Sequence, residues 1–150
     1  YGDHRDLHLS LRRQRQMCIR DRSRLSRNRA PVIAAVNGTA AGAGFSLVMA
    51  CDLVIASEGS VFTMAYTNAG LSPDGSSTYF MPRRIGDRRT RELMLTNRVL
   101  SAEEALDWGI VNKVVTKDEL SSETMKLAEK ISRGPSLAIP DNSLIQSMNE

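Results

Sequence analysis

The stretch Asn37-Gly-Thr-Ala-Ala-Gly-Ala-Gly44 constrains this chain most, because it holds almost nothing but small residues and sits between two apolar runs. Before it, Pro31-Val-Ile-Ala-Ala-Val36 is short, apolar and closed by Asn-Gly, the pattern of a buried parallel strand. After it, Phe45 to Cys51 reads as one or two helical turns, and Asp52-Leu-Val-Ile-Ala56 reads as a second buried strand. Strand, glycine-rich turn, short helix and strand make a βαβ unit, for which a right-handed crossover is expected. The fold class that follows is α/β.

Glycines between a strand and a helix let a ligand approach backbone N–H groups closely, and the helix start adds a partial positive charge. Such a place suits a developing oxyanion. It equally suits a tight turn with close packing, and spacing alone leaves both open. Two other chemistries are excluded. The third glycine of a dinucleotide-binding fingerprint would fall at Leu47, and no Gly-Lys-Ser/Thr phosphate loop occurs.

Further along, Val61 to Met64 suggests a third short strand. Residues 65–81 read as loop and short helix, broken by Gly70, Pro73 and Gly75. A helix is predicted to begin near Asp87. Ser101-Ala-Glu-Glu104 is a capping box, and Gly109 after Trp108 is a stop. Residues 118–133 give a last helix, ended by Gly134-Pro135. Pro73-Asp74-Gly75 is a common turn pattern; Asp74 is a turn residue by that reading, or a general acid/base if it faces an apolar pocket. Cys51 is expected as a small buried hydrophobe. Ser46 is no nucleophile of a triad, because neither histidine lies beyond residue 8 to serve as its base.

Charge is concentrated at one end. Residues 1–29 hold nine arginines against three aspartates, +6 in a chain whose total is +3, so the remainder carries −3. That acidic body gives no electrostatic case for nucleic acid, which makes a nucleic-acid partner unexpected. Residues 1–26 keep no helical or strand period. They are set apart as a disordered basic tail, a nucleic-acid-binding arm, or an out-of-frame translation joined to a partial gene. His4 and His8 lack a third ligand, so no metal site is expected. No apolar run reaches the roughly 18 residues of a membrane span, and no signal peptide is legible. Two cysteines make no disulfide framework, and a reduced, cytoplasmic protein is expected.

Four segments occur in series: residues 34–44 (AAVNGTAAGAG), 51–57 (CDLVIAS), 70–75 (GLSPDG) and 93–114 (LMLTNRVLSAEEALDWGIVNKV). Together they resemble the enoyl-CoA hydratase/isomerase (crotonase) superfamily, over about residues 27–140. The resemblance implies a ClpP/crotonase-type spiral of ββα units with a helical C-terminal part that trimerises. Residues 27–150 would be a partial domain of that kind, truncated at both ends. It also implies an acyl-CoA thioester as substrate, with no cofactor, and assembly as a homotrimer or a dimer of trimers. Two backbone N–H groups polarise the thioester carbonyl in that family. One falls here at Ala43, and the other belongs to an upstream segment that this chain does not contain.

The two glutamates of the hydratases fall at Ser46 and Tyr66, and neither is a carboxylate here. The loop carboxylate at Asp74 resembles instead the isomerase branch, and the aryl-CoA dehalogenase that uses an Asp nucleophile. Trp108 falls where the family has core residues before a glycine, so the resemblance implies that it is core. The implied catalytic residues are Asp74 and Ala43. The implied substrate-binding residues are Ala41, Gly42, Ala43, Tyr66, Ala69 and Asp74. An enoyl-CoA or epoxyacyl-CoA isomerase is the leading expectation. Enoyl-CoA hydration, aryl-CoA dehalogenation and a non-catalytic role in binding a partner stand behind it.

Overall fold

The computed structural model describes residues 30–73 and 76–134. The expectations for residues 1–26, for Asp74 and Gly75, and for the stop at Pro135 lie outside the described residues.

The N-terminal half is built from a repeated unit. The first strand, β1 (Ile33–Val36), is followed by β2 (Thr39–Ala41) and helix α1 (Ala43–Ala50). The next turn of chain repeats the order with β3 (Leu53–Ser57) and β4 (Val61–Thr63). β1 pairs in parallel with β3, Ile33 opposite Leu53, and β2 pairs in parallel with β4, Thr39 opposite Val61. Each turn therefore lays its two strands on the two strands of the turn before, which is the expected spiral of ββα units. Among the described residues two three-stranded sheets result, in the orders β1-β3-β6 and β2-β4-β5.

Local chemistry explains where the units begin and end. Pro31 offers no N–H, and Val32 N–H is taken by the Asp52 carboxylate at 2.7 Å, so one side chain joins the starts of β1 and β3. α1 is apolar on nearly all sides, and five of its eight residues are buried. Phe45, Val48, Met49 and Ala50 are buried. Its C-terminal end is tied by Arg84, whose Nη2 donates to the Cys51 carbonyl at 2.8 Å. The Phe45 and Phe62 rings lie 5.6 Å apart and tilted, joining α1 to β4 at the centre of the core. Met49, Met64, Met81, Leu93 and Leu100 close around them. Burying each such side chain contributes about 1.5–3 kcal/mol.

The C-terminal half covers these sheets with α2 (Ser77–Ile85), α3 (Asp87–Thr96), α4 (Ala102–Asp107) and α5 (Leu120–Ser132). The capping box is formed in full: Glu104 N–H donates to Ser101 Oγ, and Ser101 N–H donates to the Glu104 carboxylate at 3.0 Å. Gly109 has φ 76° and ends α4 as expected. β5 (Leu100–Ser101) and β6 (Lys113–Val115) complete the two sheets. Among the described residues no helix is long and apolar enough to cross a membrane.

Three sequence expectations are corrected. β1 is only partly buried, with Ala35 exposed, rather than wholly enclosed. The small-residue stretch is not all turn: Thr39–Ala41 is a strand because β4 offers it a backbone partner, which outweighs weak strand propensity. Trp108 is half-buried at the edge of the core rather than inside it. The Arg89 and Arg98 guanidinium groups lie 4.7 and 5.2 Å from its ring centre, a cation–π arrangement that fits an aromatic at a wet boundary. Cys51 is a free, buried thiol, as expected, and burial pushes its pKa up.

Candidate active site

The site begins where β2 turns into α1. Gly42 N–H donates to the Thr63 carbonyl at 3.0 Å, which hangs the turn on the end of β4. Gly42 has φ 51° and ψ −115°, a conformation that a Cβ makes costly. A side chain there would make only ordinary contacts, with the Met64 carbonyl and the Tyr66 ring, so the demand for glycine is conformational. α1 then starts at Ala43. Ser46 N–H takes the Gly42 carbonyl at 3.0 Å, while the N–H groups before it have no acceptor within the helix ladder. Ala43 and Gly44 are exposed, and the space beside the Gly44 Cα is open. An exposed helix start with small residues presents N–H donors and the positive end of the macrodipole together.

Tyr66 packs against this turn, its ring 3.8 Å from where a Gly42 Cβ would lie. It opens a single 3-10 turn, Thr67–Ala69, and its carbonyl accepts from Ala69 N–H at 3.0 Å and Leu71 N–H at 2.9 Å. The preceding residue, Ala65, has φ 53°, left-handed backbone that costs a non-glycine residue about 1–2 kcal/mol. The phenol oxygen of Tyr66 lies 3.2 Å from Ser46 Oγ, and Ser46 Oγ donates to the Gly42 carbonyl at 3.1 Å. Ser46 is fully buried and Tyr66 partly so. Gly42, Ser46 and Tyr66 thus form one connected patch.

Ala43 begins α1 beside this patch, and Ala41 is an exposed residue at the end of β2, opposite Thr63 in the sheet. Ala69 is exposed at the end of the 3-10 turn. Asp74 lies outside the described residues. Among the described residues no three His, Cys, Asp or Glu side chains cluster as a metal site would require. Sequence reasoning did not foresee the bond between Ser46 and Tyr66, which lie twenty positions apart with no local signal linking them.

The sequence profile of the Enoyl-CoA hydratase/isomerase family matches residues 13–149, and the chain belongs to that family. Its α/β architecture is correspondingly of the crotonase type. Among solved structures it is similar to an enoyl-CoA hydratase/isomerase from Cupriavidus metallidurans CH34, with 34% identity and a TM-score of 0.87, over 95% of this chain and 54% of that one. DspI of Pseudomonas aeruginosa is 29% identical with a TM-score of 0.89, over 99% of this chain and 56% of that one. Among curated relatives it is 38% identical over 111 residues to 4-chlorobenzoyl coenzyme A dehalogenase-1 of an Arthrobacter species, covering 74% of this chain and 40% of that protein. It is also 38% identical over 109 residues to carnitinyl-CoA dehydratase of Proteus mirabilis, covering 73% of this chain and 42% of that one. The chain thus spans about two fifths of the length of these curated relatives.

Proposed function

We propose that this chain forms the enolate-stabilising wall of an enzyme acting on acyl-CoA thioesters, and that the enzyme is an enoyl-CoA or epoxyacyl-CoA isomerase. The observation that carries the reading is the exposed start of α1 at Ala43 beside the Ser46–Tyr66 hydroxyl pair. The N–H of Ala43, with a second N–H from elsewhere in the protein, would bind the thioester oxygen as the enolate forms. Donors preset for that charge are worth about 3 kcal/mol each in the barrier. Asp74 would take a proton from one carbon of the acyl chain and return it to another. Ala41, Gly42, Tyr66 and Ala69 would line the acyl group.

The choice of isomerisation rests on the hydroxyl pair. Hydration needs a base to activate water, and alcohols and phenols, with pKa of about 10 or above, are poor bases at neutral pH. A single carboxylate is enough to shuttle a proton between carbons. The reading includes assembly as a homotrimer or a dimer of trimers and no cofactor. It also includes a cytoplasmic setting, which a free buried Cys51 thiol suits.

A second reading is favoured by the likeness to the Arthrobacter dehalogenase. There Asp74 would attack an aryl carbon, and the same N–H donors would hold the charge pushed onto the thioester oxygen. The test is the full-length protein and its Asp74→Asn variant, each assayed for isomerisation of 3-enoyl-CoA, hydration of crotonyl-CoA and chloride release from 4-chlorobenzoyl-CoA. Isomerisation that falls about 10²-fold or more in the variant supports the first reading. Chloride release that depends on Asp74 replaces it with the second. Hydration that survives in the variant overturns both.

A further inference from the structure

Asn97 bonds the neighbours of both the Gly42 turn and Tyr66 without touching either. It ends α3 with φ 50° and ψ 31°, a left-handed C-terminal residue, and its side chain is nine-tenths buried. Its backbone carbonyl accepts from Thr63 Oγ1 at 3.1 Å. Thr63 is the residue whose own carbonyl holds Gly42 N–H at 3.0 Å. On the other side, Asn97 Nδ2 donates to Thr67 Oγ1, and to Asn68 Oδ1 at 3.1 Å. Thr67 and Asn68 begin the 3-10 turn that Tyr66 opens. Thr67 Oγ1 in turn donates to the Met94 carbonyl at 3.3 Å, back on α3. One residue therefore pins the Gly42 turn through Thr63 and the Tyr66 turn through Thr67 and Asn68.

The amide is poorly chosen for stability alone. Its oxygen is buried and has no hydrogen-bond partner among the described residues, an unfavourable state for a carbonyl. Glycine would adopt the same left-handed backbone without strain and without an orphaned acceptor. What glycine cannot supply is the fork of two N–H donors to the Tyr66 turn. We propose that Asn97 is a positioning residue, retained to fix the distance between the α1 start and Tyr66. The proposal rests on the site assignment above, because a fixed distance matters only if both meet one substrate.

Asn97→Gly keeps the backbone and removes the fork, so the test uses that variant in the full-length protein. The expected result has three parts. The thermal midpoint stays unchanged or rises. Amide exchange at Ala69 and Leu71, whose N–H groups bond the Tyr66 carbonyl, speeds up about tenfold or more. Turnover of 3-enoyl-CoA falls about tenfold or more, in kcat rather than KM, as a displaced wall of a reacting site should produce. Thr67→Val, which removes one of the fork's two acceptors, should give smaller losses of the same kind, and the double variant should add little to those of Asn97→Gly. Unchanged exchange at Ala69 and Leu71 overturns the proposal, as does a loss of activity that merely follows a lowered midpoint. Asp74→Asn run beside it separates the two levels. If that variant keeps wild-type turnover, the site assignment fails, whereas the exchange readout still reports on Asn97 itself.

Discussion

Ser46 Oγ lies within 3.2 Å of the Tyr66 phenol oxygen while donating its own proton to the Gly42 carbonyl. The bond between the two hydroxyls ties the first turn of α1 to Tyr66, so it should be worth the usual 1 kcal/mol or so of a buried neutral hydrogen bond. Ser46→Ala and Tyr66→Phe should each lower stability by about that amount. The double variant should lose distinctly less than the sum, because each single change already breaks the shared bond. Urea denaturation of the three variants checks this; strictly additive losses would show that the two hydroxyls are not coupled.

Gly42 and Gly44 should respond oppositely to a methyl group. At Gly42 the backbone has φ 51°, so Gly42→Ala should cost about 1–2 kcal/mol of stability. At Gly44, inside α1, the space is open and alanine is the better helix former. Gly44→Ala should gain about 0.4–1 kcal/mol. The added methyl would stand beside the proposed thioester position, so acyl-CoA affinity should fall as stability rises. Thermal melts paired with titration calorimetry test both. A Gly44→Ala protein that binds acyl-CoA as tightly as wild type would argue that ligands do not approach α1 from that side.

A third expectation concerns acid. Glu123 on α5 receives Lys113 from β6 and Lys126 from the next turn of its own helix at 2.7 Å. Those hydrogen bonds hold its carboxyl down at about 2, against an ordinary value of 4.5. A carboxyl depressed on folding stabilises the fold above its unfolded value and loses that contribution as pH falls through its folded one. The Glu123 contribution should therefore be complete above about pH 4.5 and fade toward pH 2. Glu123→Gln should melt below wild type at neutral pH, with the gap closing across that acid window and shrinking in high salt. A gap that stays constant from pH 6 to pH 2 would exclude the ion pairs as its cause.

Much of the fold was legible wherever a signal was local. β1, α1 and β3 announce themselves through apolar runs broken by Asn37-Gly38 and Asp52, and the Ser101–Glu104 capping box needs only residues three apart. β2, β5 and β6 were not legible, because strands of two or three residues exist only through partners elsewhere, such as Phe62 opposite Leu100. α2 was expected only as a short helix within residues 65–81; it runs on through Pro82 to Ile85, held by the buried Met81 and Ile85. At the site, the glycine-rich turn was readable from small-residue spacing, but the helix begins at Ala43, two residues before the Phe45 start that the apolar run suggests. The placement of Tyr66 was not readable: it depends on Ser46, and the turn that follows it depends on Asn97, thirty positions from Thr67.

The parallel stacking of one ββα turn on the next has a consequence for how the chain finds its shape. The contact that starts the first pairing, Val32 with Asp52, spans 20 residues, whereas Val54 with Asn112 beside β6 spans 58. Closing the longer loop costs about 1 kcal/mol more in chain entropy, as the logarithm of length dictates. The inner coil around α1 therefore has the head start, and β6 docks onto an edge that β3 must leave open until then. During that interval Val54 and Ile55 lie on an unsatisfied parallel edge, the kind of surface that pairs with a neighbouring chain. The architecture that carries the α1 start to the surface thus leaves assembly exposed to misplaced strands until β6 arrives.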